Sequence, residues 1–383
     1  MVEAVIVEGV RTAVGRRKGS LSDYRAEDLA AEPLKELVKR TGIDPALIDD
    51  VIMGCVTQSG EQGGVVGRQA ALIAGYPLEV PGTTIDRQCG SSQQAVHFAS
   101  QAILSGDMDI VVAAGVESMT RVPMFSNRQD VGFSEQLTEK YDMVNQGISA
   151  EMIADQWNIS REEMDEFSLE SHRRALEAQK NGYFEKEIMP LEVTLEDGST
   201  KIFNQDEGPR ADTTMDIMTS LDPVFKENGK VTAANSSQMS DGAAALLMMS
   251  DTKARELGLK PRFRVISRTV VGSDPTLMLT GVIPATEKVL QRANLTVDDI
   301  DVFEVNEAFA PVTLSWLQET GADPKKLNPN GGAIALGHPL GATGARLMVS
   351  MMHELERTGG RYGLQTMCEG FGMANATIIE RID

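Results

Sequence analysis

Apolar and polar positions fall into two regimes along the chain. Short, nearly continuous apolar runs stand at residues 4–10, 49–56 and 109–115, the last reading DIVVAAG. Such runs predict strands covered on both faces. Between them, apolar residues recur at helical spacing. Residues 26–40 carry Leu29, Leu34 and Leu37, with Pro33 marking a kink or a late start. Residues 60–67 are glycine-rich and read as a loop, 68–74 as a short helix, and 83–85 as a short strand. Beyond Cys89, the positions Ala95, Phe98, Ala99, Ala102 and Ile103 mark another helix. Strands alternating with helices predict an α/β sheet architecture.

The pattern then repeats. Residues 37–43 (LVKRTGI) line up with 289–295 (VLQRANL), and Ile48 and Asp49 with Ile300 and Asp301, at a constant separation of 252 residues. Carried on, this offset sets Gly54 on Asn306, Cys89 on Gly341, and Val116 on Cys368. The Cys89 helix then pairs with a helix over residues 341–355, and DIVVAAG with a strand around 362–366. Two copies of one α/β unit follow. Residues 119–239 break the pattern. They hold a polar helical stretch at 160–180, opened by a capping box from Ser160 to Glu163. Turn signals stand at Asn181-Gly182, Asp197-Gly198 and Gly208-Pro209. The predicted organisation is a first half at 1–118 that continues at about 240–260, an inserted unit at 119–239, and a second half at 261–383.

Composition narrows the partners. A net charge of −20 and a pI near 4.7 argue against nucleic acid and acidic membrane surfaces. Any phosphate-bearing ligand needs a local exception. Three cysteines read as free thiols in a reducing compartment. No apolar run reaches the roughly 18 residues of a membrane span. The first residues enter a strand without a signal or transit pattern, and the last are not a peroxisomal address. A cytoplasmic location is expected.

In Asp86-Arg87-Gln88-Cys89-Gly90-Ser91-Ser92, the cysteine stands where small turn-forming residues give way to a helix. Unpaired N–H groups and the positive dipole end favour a thiolate there and suit an oxyanion. A cysteine alone is more often an inert buried hydrophobe. Three further stretches change that balance: Val305-Asn306-Glu307-Ala308-Phe309-Ala310, Gly337-His338-Pro339-Leu340-Gly341-Ala342-Thr343-Gly344-Ala345-Arg346, and Met367-Cys368-Glu369-Gly370-Phe371-Gly372. In this order and spacing the four motifs resemble the thiolase family over essentially the whole chain.

The resemblance implies an α/β thiolase fold: two repeated halves with mixed sheets sandwiching helices, plus an inserted loop domain that binds coenzyme A. It implies reversible cleavage of 3-ketoacyl-CoA by coenzyme A, giving acetyl-CoA and a shortened acyl-CoA through a cysteine acyl-enzyme. Cys89 would be the nucleophile. His338 would take its proton and point at the thioester oxygen; its alternative is a satisfied loop histidine. Cys368 would move the proton at the acetyl α-carbon, or else be a small buried residue after a strand. Asn306 would hold a catalytic water, beside an alternative role as a helix N-cap. The N–H groups of Cys89 and Gly370 would form a second oxyanion site. Arg210 and Ser237 match positions near coenzyme A, although a single arginine is usually just solvated. Cys55 reads as core, and His97, His172 and His353 carry no role. No metal and no tightly bound cofactor are expected, with coenzyme A and acetyl-CoA as substrates and a homodimer or homotetramer as the assembly. The alternatives are an acetoacetyl-CoA-specific acetyltransferase and a non-catalytic acyl-CoA or lipid carrier.

Two departures from the family pattern matter. Gly370-Phe371-Gly372 replaces a glycine triplet, and Asn145-Gln146-Gly147 replaces the His-Met pair that precedes a glycine in acetoacetyl-specific members. The second puts acetoacetyl specificity in doubt. At the first, a phenylalanine either takes φ < 0 or is held in a strained turn by packing of its ring. That ring would wall the acyl pocket or, on the simpler reading, point into the core.

Overall fold

Nine strands order the molecule: β1 (Ala4–Thr12), β2 (Asp50–Gly54), β3 (Gly82–Ile85), β4 (Ile110–Ser118), β5 (Ser240–Ser250), β6 (Phe263–Gly272), β7 (Val302–Val305), β8 (Tyr362–Glu369) and β9 (Met373–Arg381). The structure is a computed structural model describing residues 2–129, 131–194 and 198–382. Along the sheet the order is β7-β8-β9-β6-β1-β5-β4-β2-β3. β1 and β6 pair antiparallel at the centre, Val5 opposite Arg264 and Ile6 opposite Phe263. To either side the pattern is the same: antiparallel β1-β5-β4 and β6-β9-β8, then a parallel step to β2 and to β7. Even the register shift recurs, between Ile6 and Glu8 in β1 and between Val265 and Ser267 in β6.

The apolar runs lack alternation because both faces are covered. Val5, Ile110 and Val112 pack with helix α1 (Ala26–Thr41) on one side; Ile6, Val111 and Ala113 pack on the other. That second side holds α3 (Ser91–Ser105) and the helix Leu340–Thr358, through Ala95, Ala99 and Ile103 of one and Met348, Val349 and Met352 of the other. A short helix α2 (Val66–Ile73) lies between β2 and β3. The repeat is visible in the connections too: the turns Pro45–Leu47 and Val297–Asp299 stand 252 residues apart, each leading into a strand.

Between β4 and β5 the chain forms α4 (Gln146–Gln156), α5 (Arg161–Lys180) and a separate hairpin of Leu191–Thr194 with Thr200–Phe203. The capping box at Ser160 is present. Asp197, from the expected Asp197-Gly198 turn, lies outside the described residues. In the second half follow α6 (Val282–Ala293), α7 (Ala310–Thr320) and α8, the Leu340–Thr358 helix. α5 packs on α7 and on the helical turn Ala333–Leu336, so this stretch is seated on the second half.

Three local expectations need correction. Pro33 does not delay α1, which begins at Ala26 and buries the proline. Phe98 carries the helical period of α3 but is 40% exposed, so the rest of the described chain does not cover that flank of the helix. Asn306 caps no helix, since α7 starts at Ala310 with Phe309 before it.

Candidate active site

Two helix starts meet at the centre, and glycine is what lets them meet. A Cβ on Gly115 of β4 would overlap the Gly341 carbonyl oxygen, and one on Gly344 would overlap the Gln93 backbone nitrogen. The Ser92 hydroxyl then receives the Ala345 N–H at 2.8 Å, and the Glu117 carboxylate receives the Gly341 N–H at 2.8 Å. Glu117 also accepts from Val56 N–H (2.9 Å), Thr57 N–H (3.0 Å) and Gln62 Nε2 (2.8 Å). It therefore ties the segment after β2 to the start of α8.

Cys89 sits in a tight turn before α3. Gln88 has φ of +48°, the Asp86 carboxylate accepts its N–H at 2.7 Å, and Ser91 Oγ accepts the Arg87 N–H at 2.9 Å. Cys89 is 6% exposed, whereas Cys55 and Cys368 are fully buried. It lines a cavity of about 600 Å³ that Gly370 and Phe371 also line. Cys368, at the end of β8, lies close enough to raise the Cys89 pKa. The expectation of a favoured thiolate is corrected here. Burial pushes the Cys89 thiol well above its usual range, and Cys368, Glu369 and Glu117 push the same way. Burial and Glu369 push Cys368 up to about 12. Both shifts oppose the thiolate. Glu369 is buried over Gly90, has no hydrogen-bond partner for either oxygen among the described residues, and is itself held well above the usual carboxyl range by burial.

His338 is held at its backbone, where its N–H donates to the Gln238 carbonyl at 3.0 Å. Burial, and then Arg346, pull its pKa down to about 3, so the ring is neutral. Its Nδ1 lies 2.7 Å from Thr343 Oγ1, and that hydroxyl donates to the Pro339 carbonyl at 2.8 Å. Nδ1 must therefore carry the hydrogen, which leaves Nε2 as a bare acceptor. Asn306 Nδ2 faces Nε2 at 3.4 Å, while Asn306 Oδ1 is buried without a partner among the described residues. Among the described residues, no hydrogen bond joins Cys89 Sγ to His338. The link runs through Leu340, which packs with Cys89 and Met119.

Arg210 and Ser237 do not line this cavity. Arg210 is exposed beside α5, its N–H donating to His172 Nδ1 at 3.2 Å, and Ser237 N–H donates to the Ala308 carbonyl at 2.9 Å. Ser237 immediately precedes the Gln238 that holds His338. His97 is buried against Thr377, and His353 faces Arg262, both away from the cavity. Phe371 settles between its two readings in favour of the cavity. It adopts φ of +68°, is 41% exposed, and meets Phe133 edge-on at 5.9 Å. Sequence reasoning missed Thr343 and Glu117. Thr343 stands inside the Gly337–Arg346 motif; Glu117 carries no motif at all.

A thiol on the cavity wall at one helix start, a second thiol buried at the end of β8 and a neutral imidazole in the loop before the facing helix are the groups an acyl-transferring enzyme uses. Residues 4–252 match the family described as "Thiolase, N-terminal domain" and residues 259–381 match "Thiolase, C-terminal domain". The chain belongs to the thiolase family. It is 51% identical to a steroid 3-ketoacyl-CoA thiolase of Mycobacterium tuberculosis, across 100% of this chain and 95% of the relative. It is 44% identical to the 3-oxoadipyl-CoA/3-oxo-5,6-dehydrosuberyl-CoA thiolase of Escherichia coli, with 100% of both chains covered. The crystal structure of the Bacillus anthracis acetyl-CoA acetyltransferase superposes with a TM-score of 0.92 at 39% identity, covering 100% of this chain and 99% of that one.

Proposed function

We propose that this thiolase cleaves 3-ketoacyl-CoA through an acyl group carried on Cys89. The observation that carries the reading is that Cys89 and the Gly370-Phe371 turn following Cys368 share one cavity, with the bare Nε2 of His338 in the adjoining loop. In the thiolysis direction His338 Nε2 takes the Cys89 proton and the sulfur attacks the ketone carbon. The bond to the acetyl α-carbon breaks, and that carbon takes the proton of Cys368. Acetyl-CoA leaves. The thiol of coenzyme A then attacks the acyl thioester, giving its proton to Cys368, while Cys89 leaves as a thiolate and recovers its own from His338. Asn306, with its unpartnered Oδ1, would hold water at the first oxyanion position, and the N–H groups of Cys89 and Gly370 would serve the second.

We assign coenzyme A to the side of Arg210 and Ser237 and the acyl group to the cavity, with residues 119–239 as the inserted unit over the site. The relatives bear names with different acyl groups, so the acyl specificity rests on the cavity itself. At about 600 Å³, lined by Met124, Phe133, Asn145 and Gln146, it has room beyond an acetyl group. This supports a general 3-ketoacyl substrate over acetoacetyl-CoA alone. Phe98, Leu72, Ile73 and Leu78 are exposed on or beside α2 and α3, next to the unpaired edge of β3. They support a homodimer through that edge. Three unpaired thiols support a reducing, cytoplasmic setting.

The test is proton exchange. Cys368→Ala should still be acylated by acetyl-CoA at Cys89 but lose exchange of the acetyl α-protons into deuterated water by about 10²-fold or more. Cys89→Ala should lose acylation altogether. Unchanged exchange in Cys368→Ala would overturn the proton role.

A further inference from the structure

Arg128 is out of keeping with the rest of this acidic chain. With 56 acidic residues to 36 basic ones, arginines readily find carboxylates, yet Arg128 pairs with none among the described residues. Its Nη2 donates only to the carbonyls of Val131 (3.0 Å) and Gly132 (3.1 Å). Its guanidinium carbon lies 4.2 Å from the Phe133 ring centroid, a cation–π contact. The side chain lines the same cavity as Cys89, whose walls are otherwise mostly apolar. Among the described lining residues Arg128 is the one cation. The one anion, Asp86, is engaged with the Gln88 N–H at 2.7 Å in the nucleophile turn.

The segment presenting Arg128 is also strained. Phe125 and Gln129, on either side of it, have φ of +70° and +49°. Non-glycine residues persist in that region only where surrounding structure holds them, and they cluster at ligand clamps. A guanidinium held over an aromatic face, with Nε and Nη1 making no hydrogen bond among the described residues, has donors to offer a planar anion. A purely alkyl acyl tail would gain nothing from it.

We propose that the cavity accepts 3-ketoacyl groups ending in a carboxylate, and that Arg128 reads that carboxylate. This rests on placing the acyl group in the cavity. Guanidinium–carboxylate recognition through parallel N–H donors is both strong and directional. In so acidic a protein it also supplies the local positive charge that an anionic tail requires.

The experiment compares thiolysis of 3-oxoadipyl-CoA with that of 3-oxohexanoyl-CoA, a pair of equal length differing in the terminal carboxylate. In the wild type the carboxylate-ended substrate should be preferred. In Arg128→Met the ratio of the two kcat/KM values should fall by about 10–100-fold, the worth of a charge-assisted hydrogen bond. The change should lie mainly in KM for the carboxylate-ended substrate. Arg128→Lys should restore part of the ratio, and added salt should lower the wild-type ratio. If both substrates decline alike in Arg128→Met, the residue only braces its loop and the proposal is overturned. If KM for free coenzyme A rises equally, Arg128 reads a coenzyme phosphate, which also overturns it. Absence of thiolysis with either substrate in the wild type would instead remove the functional reading beneath.

Discussion

His338 Nδ1 stands 2.7 Å from the Thr343 hydroxyl, which spends its own hydrogen on the Pro339 carbonyl one helical turn back. The pair fixes the tautomer: the hydrogen sits on Nδ1, and Nε2 is free to accept. Thr343→Val keeps the shape but leaves the Nδ1–H without an acceptor, favouring the tautomer with hydrogen on Nε2. Acylation of Cys89 should slow by about 10–100-fold, within the range of general-base effects. Thr343→Ser should retain most of the rate. An equal loss in both variants, or in neither, would argue against this role.

Ionisation of the nucleophile sets a second expectation. Burial and the neighbouring Cys368 and Glu369 hold the Cys89 thiol well above its ordinary value, against the lowering effect of a backbone hydrogen bond. Iodoacetamide should still reach Cys89 before the other two cysteines, because it alone lines the cavity. The inactivation rate should keep rising with pH beyond about 8.5, the ordinary thiol value, without levelling there. His338, with a pKa near 3, should contribute no limb to the acid side of the kcat/KM profile near 6.5. A plateau in alkylation near neutrality would show that the thiolate is favoured after all.

Glu117 is a stability matter. Its carboxylate accepts four N–H donors from three separate segments. Burial nonetheless outweighs those donors and shifts its pKa upward. Glu117→Gln turns an amide NH2 toward at least one donor, leaving buried groups unsatisfied at about 1–3 kcal/mol apiece. Calorimetry should show a lowered melting temperature, with acylation impaired as well because Gly341 N–H loses its anchor. A melting temperature within one degree of wild type would contradict the clamp.

Much of this architecture was legible because it is written in local pattern. The strand DIVVAAG lacks alternation for the reason that Val111 and Val112 are both covered, and the 252-residue offset carried helix onto helix. Cys89 could be placed before α3 from its small neighbours. Its protonation state could not, since that depends on Glu369 folding back over Gly90 from a strand 280 residues away in sequence. Arg128 escaped for a similar reason. Nothing in Ser126-Asn127-Arg128-Gln129 marks chemistry until the fold sets the guanidinium on Phe133 beside the cavity. Phe98 misled because helical spacing reports a face, not what covers it.

Phe371 yields the last prediction. A phenylalanine truncated from a core costs about 3–5 kcal/mol, but this ring is 41% exposed and lines the same cavity as Cys89. At φ of +68° its backbone is strained by about 1–3 kcal/mol, which glycine would relieve. Against that stand the edge-on contact with Phe133, worth about 0.5–1.5 kcal/mol, and the greater chain entropy of glycine, about 0.5–1 kcal/mol. The terms nearly cancel. Phe371→Gly should therefore melt within a few degrees of wild type while extending thiolysis toward longer or bulkier 3-ketoacyl groups, because one wall of the cavity is gone. Acylation of Cys89 by short substrates should persist. Thiolysis across a series of acyl lengths, run beside a thermal melt, decides the matter: an unchanged length profile with a strongly lowered melting point would mean that the ring supports the turn and does not wall the pocket.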